Sequence, residues 1–333
     1  MPAELPFLDQ PLKSHHQVIE RAKLIGRTHG LSSVVVAAAE EDDVLAAMYA
    51  CKQEGISDAI LTGNPENIRK ALDLAKVPAD SFDIIATESD QESALKAANL
   101  AASGEADVVM KGFLKTSILL KTLLKSDNGL RDRELVSHSA LLYVPKYGKL
   151  LNVTDGGTIP TPDLRQKLVV IQNAVRVLRA VGVAKPNIAV FGSGESINDK
   201  YPETLDAQDL VSVAAEHWKD EINISGPMPL DLAIKKPEDL NARINDQVAG
   251  YADILLVHTL EQGNIIAKTL IQFGDAIFMG VIAGAKVPIS LVSRSDSMMN
   301  KMASIALAVC LADFQRRNIP ALPSIIANEQ EIQ

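Results

Sequence analysis

Aromatic residues are scarce: seven Phe, five Tyr and one Trp make up 4% of the 333 residues. A core built without them must come from Ala, Val, Ile and Leu, the residues of buried parallel strands and their covering helices. Cysteine is nearly absent too. The two present, Cys51 and Cys310, exclude a disulfide framework and fit a reducing compartment. Neither has a second Cys or a His at metal-ligand spacing, so both read as small buried apolar groups. Positive charge is in deficit: 33 Lys and Arg against 42 Asp and Glu leave a net charge of −9. That balance argues against a general affinity for nucleic acid or anionic membrane, but a local basic cluster can still take an anionic substrate. The apolar stretch Met302–Cys310 is too short to span a bilayer. Met1–Lys13 lacks the charged start and apolar run of a signal peptide, so the cytoplasm is the expected location. What is plentiful is hydrophobic residue, 47% of the chain, ample for one large or two ordinary domains.

Short β-branched runs alternate with helical spacing. Ser32–Ala38, Asp58–Thr62, Phe82–Ala86 and Ala106–Met110 read as strands. Glu41–Glu54, a segment opened by Pro65, and Gln91–Ala102 read as helices between them. A second series places strands at Leu150–Thr154, Asn187–Phe191, Asp253–Val257, Ala276–Ile282 and Pro288–Val292. Its helices are Asp163–Val181, Asn264–Phe273 and about Ser297–Phe314. The pattern predicts an α/β fold of two domains with mostly parallel sheets and a cleft between them. The best boundary is near Pro145–Lys149, on Pro, Gly and charge grounds. The tail after Pro320 is expected to be loosely held.

Ligands in such sheets bind at the carboxyl ends of strands, so the strand-to-helix turns carry the functional signal. In Val292–Ser297, an apolar strand hands over to a helix through Ser293, Arg294, Ser295 and Asp296. Free helix N–H groups there seat a phosphate, and Arg294 adds a fork-shaped charge. A capped helix with an exposed Arg explains the same residues. In Lys111–Ser117, Gly112 permits close backbone approach, while Lys111, Lys115 and Lys121 concentrate positive charge beside Thr116. A solvated, lysine-bearing helix face is the plainer alternative. Leu135–Ser139 carries Ser137 and His138, and a lone His in an apolar stretch is more often structural than catalytic. Gly192-Ser193-Gly194 has Ile197 at the third-glycine place of a dinucleotide fingerprint, so NAD is set aside. Glu261, Gly263 and Asn264 lie at a further turn; Gly263 allows an unusual backbone angle, and Asn264 serves equally well as a helix cap. The histidines give neither metal spacing nor a triad.

Taken in order, these turns resemble the phosphate acetyltransferase and phosphate butyryltransferase family, with the butyryl branch nearer. The matching residues are Met110-Lys111-Gly112 with Thr116, Leu135–His138, Val153-Thr154-Asp155, Gln172–Val175, and Gly226-Pro227 with Leu230-Asp231. Ala252–Val257, Glu261–Ile265 with Lys268, Gly284–Pro288, and Ser293-Arg294 with Asp296-Ser297 complete the set. The similarity runs from about Ala106 to Leu311. It implies an isocitrate dehydrogenase-like arrangement: a discontinuous first domain of 1–148 plus 284–333, a second of 149–283, and an active-site cleft between them. It implies direct transfer in a ternary complex, acyl-CoA plus phosphate giving acyl phosphate plus CoA, with a short acyl group such as butyryl or acetyl. Coenzyme A is then a substrate, no cofactor or metal is bound, and a homodimer or larger homo-oligomer is expected. By the same resemblance Arg294 holds phosphate and Ser293 hydrogen-bonds the sulfur or the developing oxyanion. Lys111, Gly112, Lys115, Thr116, Lys121, Ser137, His138, Asp155, Glu261, Gly263 and Asn264 contribute to substrate binding.

The sequence departs from that pattern in places. The acetyltransferases carry an Asp, proposed as the base for the thiol, where this chain has Asn300; Asp296 is the nearby carboxylate. Lys115 stands where the family has His, and Lys121 where it has Arg; each Lys lacks the bidentate fork of Arg. Three alternatives remain open: a metal-dependent decarboxylating dehydrogenase, a transferase using acyl-carrier protein, and a non-catalytic binder of CoA esters.

Overall fold

The computed structural model describes residues 8, 10–236, 239, 245–318 and 322–323. The expected alternation is there. Strands β1 (Ser32–Ala37), β2 (Ser57–Gly63), β3 (Asp83–Ala86) and β4 (Val108–Lys111) alternate with helices α2 (Asp42–Gln53), α3 (Pro65–Leu74) and α4 (Asp90–Ser103), after a leading helix α1 (His15–His29). Helix α5 (Thr116–Leu123) follows β4. The chain continues through β5 (Ser137–Val144), β6 (Lys149–Thr154), α6 (Leu164–Ala180), β7 (Asn187–Phe191), α7 (Pro202–His217), β8 (Asn223–Met228) and α8 (Leu230–Ile234). It closes with β9 (Ile254–Leu256), α9 (Leu260–Phe273), β10 (Ile277–Ala283), β11 (Ile289–Ser290) and α10 (Met298–Arg316).

Local chemistry sets the helix starts. Asn64 accepts from the N–H groups of Glu66 and Asn67, with Pro65 in the first turn. Asp163 with Gln166 and Thr259 with Gln262 form reciprocal capping boxes. Ser297 caps α10 through the Asn300 N–H. α9 therefore begins ahead of Gly263 and Asn264, which lie inside its first turns; neither the expected cap at Asn264 nor an unusual angle at Gly263 is found.

The strands form one sheet in the order β3-β2-β1-β4-β11-β10-β5-β6-β9-β7-β8. Both flanks are parallel, as expected, but the middle is not: β10 pairs antiparallel with β11 and β5, and β5 with β6. Seven residue pairs between β5 and β10 join the two expected sheets into one. The Leu135–Ser139 segment, read from sequence as a turn, runs into β5 at the sheet's centre. Alternation divides the apolar residues between two faces. Val34 and Val36 of β1 face the cluster built with α1, α6 and α10, and Val35 and Ala37 face α4 and α5. A third cluster under α9 includes Ala140, Leu142, Ala267 and Phe278. Cys51 and Cys310 are buried and unpaired, and burial pushes both thiols up to about 12. Leu322 and Pro323 pack on the body, the Pro323 carbonyl accepting from Gln172 and Trp218; the rest of the expected loose tail lies outside the described residues. Among the described residues no helix is long and apolar enough to cross a membrane.

Candidate active site

Strands β4 and β11 run parallel and β6 runs opposite to both; residues at the carboxyl ends of all three line a cleft of about 350 Å³, walled on its far side by α9. The turn after β11 forms one wall. The Asp296 N–H donates to the Ser293 carbonyl at 3.0 Å, and the Asp296 carboxylate accepts the Ser293 N–H at 2.6 Å. The turn is thus locked by its own Asp, and among the described residues Ser293 Oγ is left with only Ser295 Oγ, 3.1 Å away. Arg294 projects over the mouth, its side chain 69% exposed. Its Nε is 3.0 Å from Glu41, and its guanidinium lies 4.6 Å from the Phe113 ring centroid. These contacts hold the fork without burying it.

Lys111 closes the adjoining wall. Its ammonium donates to the carbonyls of Gly112 (2.8 Å) and Leu114 (3.4 Å). Burial holds its pKa below the ordinary lysine value; Glu41 opposes the shift and Arg294 adds to it. Thr116 lines the cleft beside it. Gly112 is not in the cleft wall: a Cβ there would lie 2.1 Å from the Ala38 carbonyl, so the glycine lets β4 leave the sheet against the end of β1. Lys115 is the residue before α5, with no side-chain cap bond, and is not in the cleft wall. Lys121 lies five positions beyond Thr116 on α5, about 140° around the helix, and lines a separate depression with Ser117 and Lys125.

Strand alternation sorts the β5 residues. Ser137 turns away from the cleft and accepts from Asn173 at 3.0 Å, whereas His138 and Ala140 face it. His138 is 6% exposed, and neither ring nitrogen has a hydrogen-bond partner among the described residues. Burial lowers its pKa; the charges of Asp155 and Asp296 oppose this and Lys268 adds to it. Asp155 sits behind the wall, accepting from the N–H groups of Gly157 (2.7 Å), Thr158 (2.9 Å) and His138 (3.2 Å) and from the Thr158 hydroxyl. It shapes the loop, and the next two residues, Gly156 and Gly157, are the ones that line the cleft. From α9, Gly263 and Asn264 reach the wall, while Glu261 is exposed outside it. A Cβ on Gly263 would meet the Gly156 Cα at 2.7 Å, so paired glycines let loop and helix touch.

Of the expected residues, Ser293, Arg294, Asp296, Lys111, Thr116, His138, Gly263 and Asn264 thus meet at one cleft. Gly112, Lys115, Lys121, Ser137, Asp155 and Glu261 do not line it. Sequence reasoning missed Glu41, Phe113, Gly156 and Gly157. Lys268, matched to the family but given no site role, has its ammonium 4.0 Å from Asp296, and its place one turn beyond Asn264 on a helix was a usable signal. Asn300 lies elsewhere: its Oδ1 accepts the Phe278 N–H of β10 at 3.2 Å. Among the described residues no group of three or more His, Cys, Asp or Glu is placed to hold a metal ion.

The family described as Phosphate acetyl/butaryl transferase matches residues 85–309, beginning somewhat ahead of the resemblance read from Ala106. The chain is 34% identical over 301 residues to the phosphate butyryltransferase of Clostridium acetobutylicum, covering 90% of this chain and 99% of that one. It is 36% identical over 292 residues to the probable phosphate butyryltransferase of Bacillus subtilis, covering 87% and 97%. Among solved structures, a branched-chain phosphotransacylase from Enterococcus faecalis V583 matches with a TM-score of 0.76 at 28% identity, over 85% of this chain and 99% of that one.

Proposed function

This chain belongs to the phosphate acetyl/butyryl transferase family and is a phosphate acyltransferase; on that premise we propose that it exchanges a short acyl group, butyryl or acetyl, between coenzyme A and phosphate by direct transfer in the cleft beside Ser293. The observation that carries the reading is the convergence of the Ser293–Asp296 turn with Lys111 and Thr116 on one cavity, which gathers positive charge in a protein of net charge −9.

In the direction of acyl phosphate synthesis, a phosphate oxygen attacks the thioester carbonyl carbon. The C–O bond forms, the C–S bond breaks with its electron pair on sulfur, and the proton carried by hydrogen phosphate ends on that sulfur. A thiol has a pKa of roughly 8.5, so sulfur is a fair leaving group and the main work is alignment and charge stabilisation. Arg294 and Lys111 hold the phosphate. The Ser293 hydroxyl, which among the described residues has no partner beyond Ser295, donates to the sulfur or the carbonyl oxyanion. Asp296 is the carboxylate in the wall that relays the proton. Lys115, Lys121 and Glu261 are read here as outside the reacting centre, and Gly112, Ser137 and Asp155 as its scaffold.

The same reading divides the chain into lobes of 1–148 plus 284–333 and 149–283. Lys111, His138 and Arg294 then come from one lobe and Gly156, Gly263 and Asn264 from the other, so the cleft lies between them. Ile265 and Phe273 of α9, 64% and 86% exposed, are what a contact between copies in a homo-oligomer would cover. Cytoplasmic residence belongs to this reading as well.

The test is CoA release from a panel of acyl-CoA esters with and without phosphate. Release that needs phosphate is expected, and the Arg294→Ala variant should lose about 10²-fold or more in turnover, with Arg294→Lys recovering part of it. Near-normal phosphate use by Arg294→Ala removes the site assignment.

A further inference from the structure

The cleft has an apolar end that phosphate chemistry does not need. β5 and β10 pair so that Ala140 stands opposite Gly280 and Leu142 opposite Phe278. Ala140, Leu142 and Phe278 all face the α9 side, in one apolar cluster with Ala267. Gly280 has no side chain, and the Phe278 ring takes the space: a Cβ on Gly280 would lie 2.4 Å from Phe278 Cζ and 2.3 Å from the Leu291 carbonyl. The ring therefore lies along its own strand. The backbone beneath it is fixed from the other side. The N–H groups of Phe278 and Gly280 donate to Asn300 Oδ1 (3.2 Å) and Ser304 Oγ (2.9 Å), one turn apart on α10. These side chains replace the strand neighbours that the two-residue β11 does not supply. The ring's other neighbour is His138, with centroids 6.1 Å apart, so the apolar end begins where the polar end stops.

We propose that Phe278, laid over Gly280 between Ala140 and Ala267, is the floor of the acyl-chain pocket and sets the longest chain transferred: a short linear or branched group of the butyryl or isobutyryl class, in preference to acetyl. This rests on the reading of the cleft as the acyl-transfer site. An acetyl group leaves the Ala140, Ala267 and Ile271 surfaces bare, and each further methylene buried against them favours binding. A longer chain runs into the ring.

The measurement is kcat/KM for phosphate-dependent thiol release from acetyl-, butyryl-, isobutyryl- and hexanoyl-CoA, for the unmodified protein and for Phe278→Ala, Phe278→Leu and Ala267→Leu. The unmodified protein should prefer butyryl or isobutyryl. Both Phe278 variants should raise the hexanoyl-to-butyryl ratio by about tenfold or more, and Ala267→Leu should lower the butyryl-to-acetyl ratio by a similar factor. Ratios do not depend on the fraction of folded enzyme, and the Leu variants keep the core filled should Phe278→Ala fold poorly. Unchanged ratios in variants that still turn over with phosphate overturn the floor and leave the transferase reading standing. No phosphate-dependent release from any ester by the unmodified protein overturns both.

Discussion

Asp296 and Asn300 stand at the same helix end, and of the two Asp296 lines the cleft. Asn300 is 5% exposed and turned to β10, where its amide oxygen takes the Phe278 N–H. Losing the carboxylate there therefore removes nothing from the cleft. Asp296 is the acid that lines it; it accepts the Ser293 N–H, which an amide oxygen also does, and in the proposed mechanism it moves a proton, which an amide does not. Asp296→Asn should keep the turn and lower kcat by about 10²-fold, whereas Asp296→Ala should lose the turn as well and bind phosphate more weakly. Full activity in Asp296→Asn with impaired Asp296→Ala reduces Asp296 to a clamp. Single residues were legible where one chemical type stands out: Arg294 and Lys111, basic residues in an acidic chain, meet at one cleft. Glu41 was not, because its value is set by Arg294, more than 250 positions away, and no local pattern marks it.

At the scale of the element, β1, α3, β7 and α6 follow from β-branched runs and caps that act within a few residues. β5 does not. Its Ser137, His138 and Ser139 look like turn residues, yet they sit in a central strand, where distant partners satisfy the two serines: Asn173 donates to Ser137 and Asn152 to Ser139. α9 was read as starting too late because Gly263 and Asn264 resemble breakers, while the Thr259–Gln262 capping box ahead of them fixes the true start. Gly263 is required by packing, not by backbone angle. Gly263→Ala should push α9 off the Gly156 loop, with a stability loss of about 1–3 kcal/mol and a fall in kcat/KM. Urea unfolding and initial rates check it, and a fully stable, fully active Gly263→Ala would mean that the glycine contact does not position the helix.

For the whole molecule, the parallel flanks were legible from the strand–helix alternation, but the antiparallel centre was not, because β5 meets β10 across a long stretch of chain and pairing partners at that distance leave no periodic trace. That centre decides where the site is. Lys111, His138 and the Ser293 turn approach the cleft from 1–148 and 284–333, and Gly156, Gly263 and Lys268 approach it from 149–283. A ligand bound there touches both parts of the sheet at once and binds only the folded chain, so it adds stability by mass action, about 2.7 kcal/mol at a hundredfold excess over its dissociation constant. Phosphate and coenzyme A should each raise the midpoint of thermal unfolding. Arg294→Ala should abolish the phosphate shift while retaining most of the coenzyme A shift, since Arg294 touches only the anion in the proposed arrangement. An equal phosphate shift in both proteins would mean that the anion is gripped somewhere other than the Ser293–Asp296 turn, and the cleft would then lose the polar half of its function while its apolar floor remained.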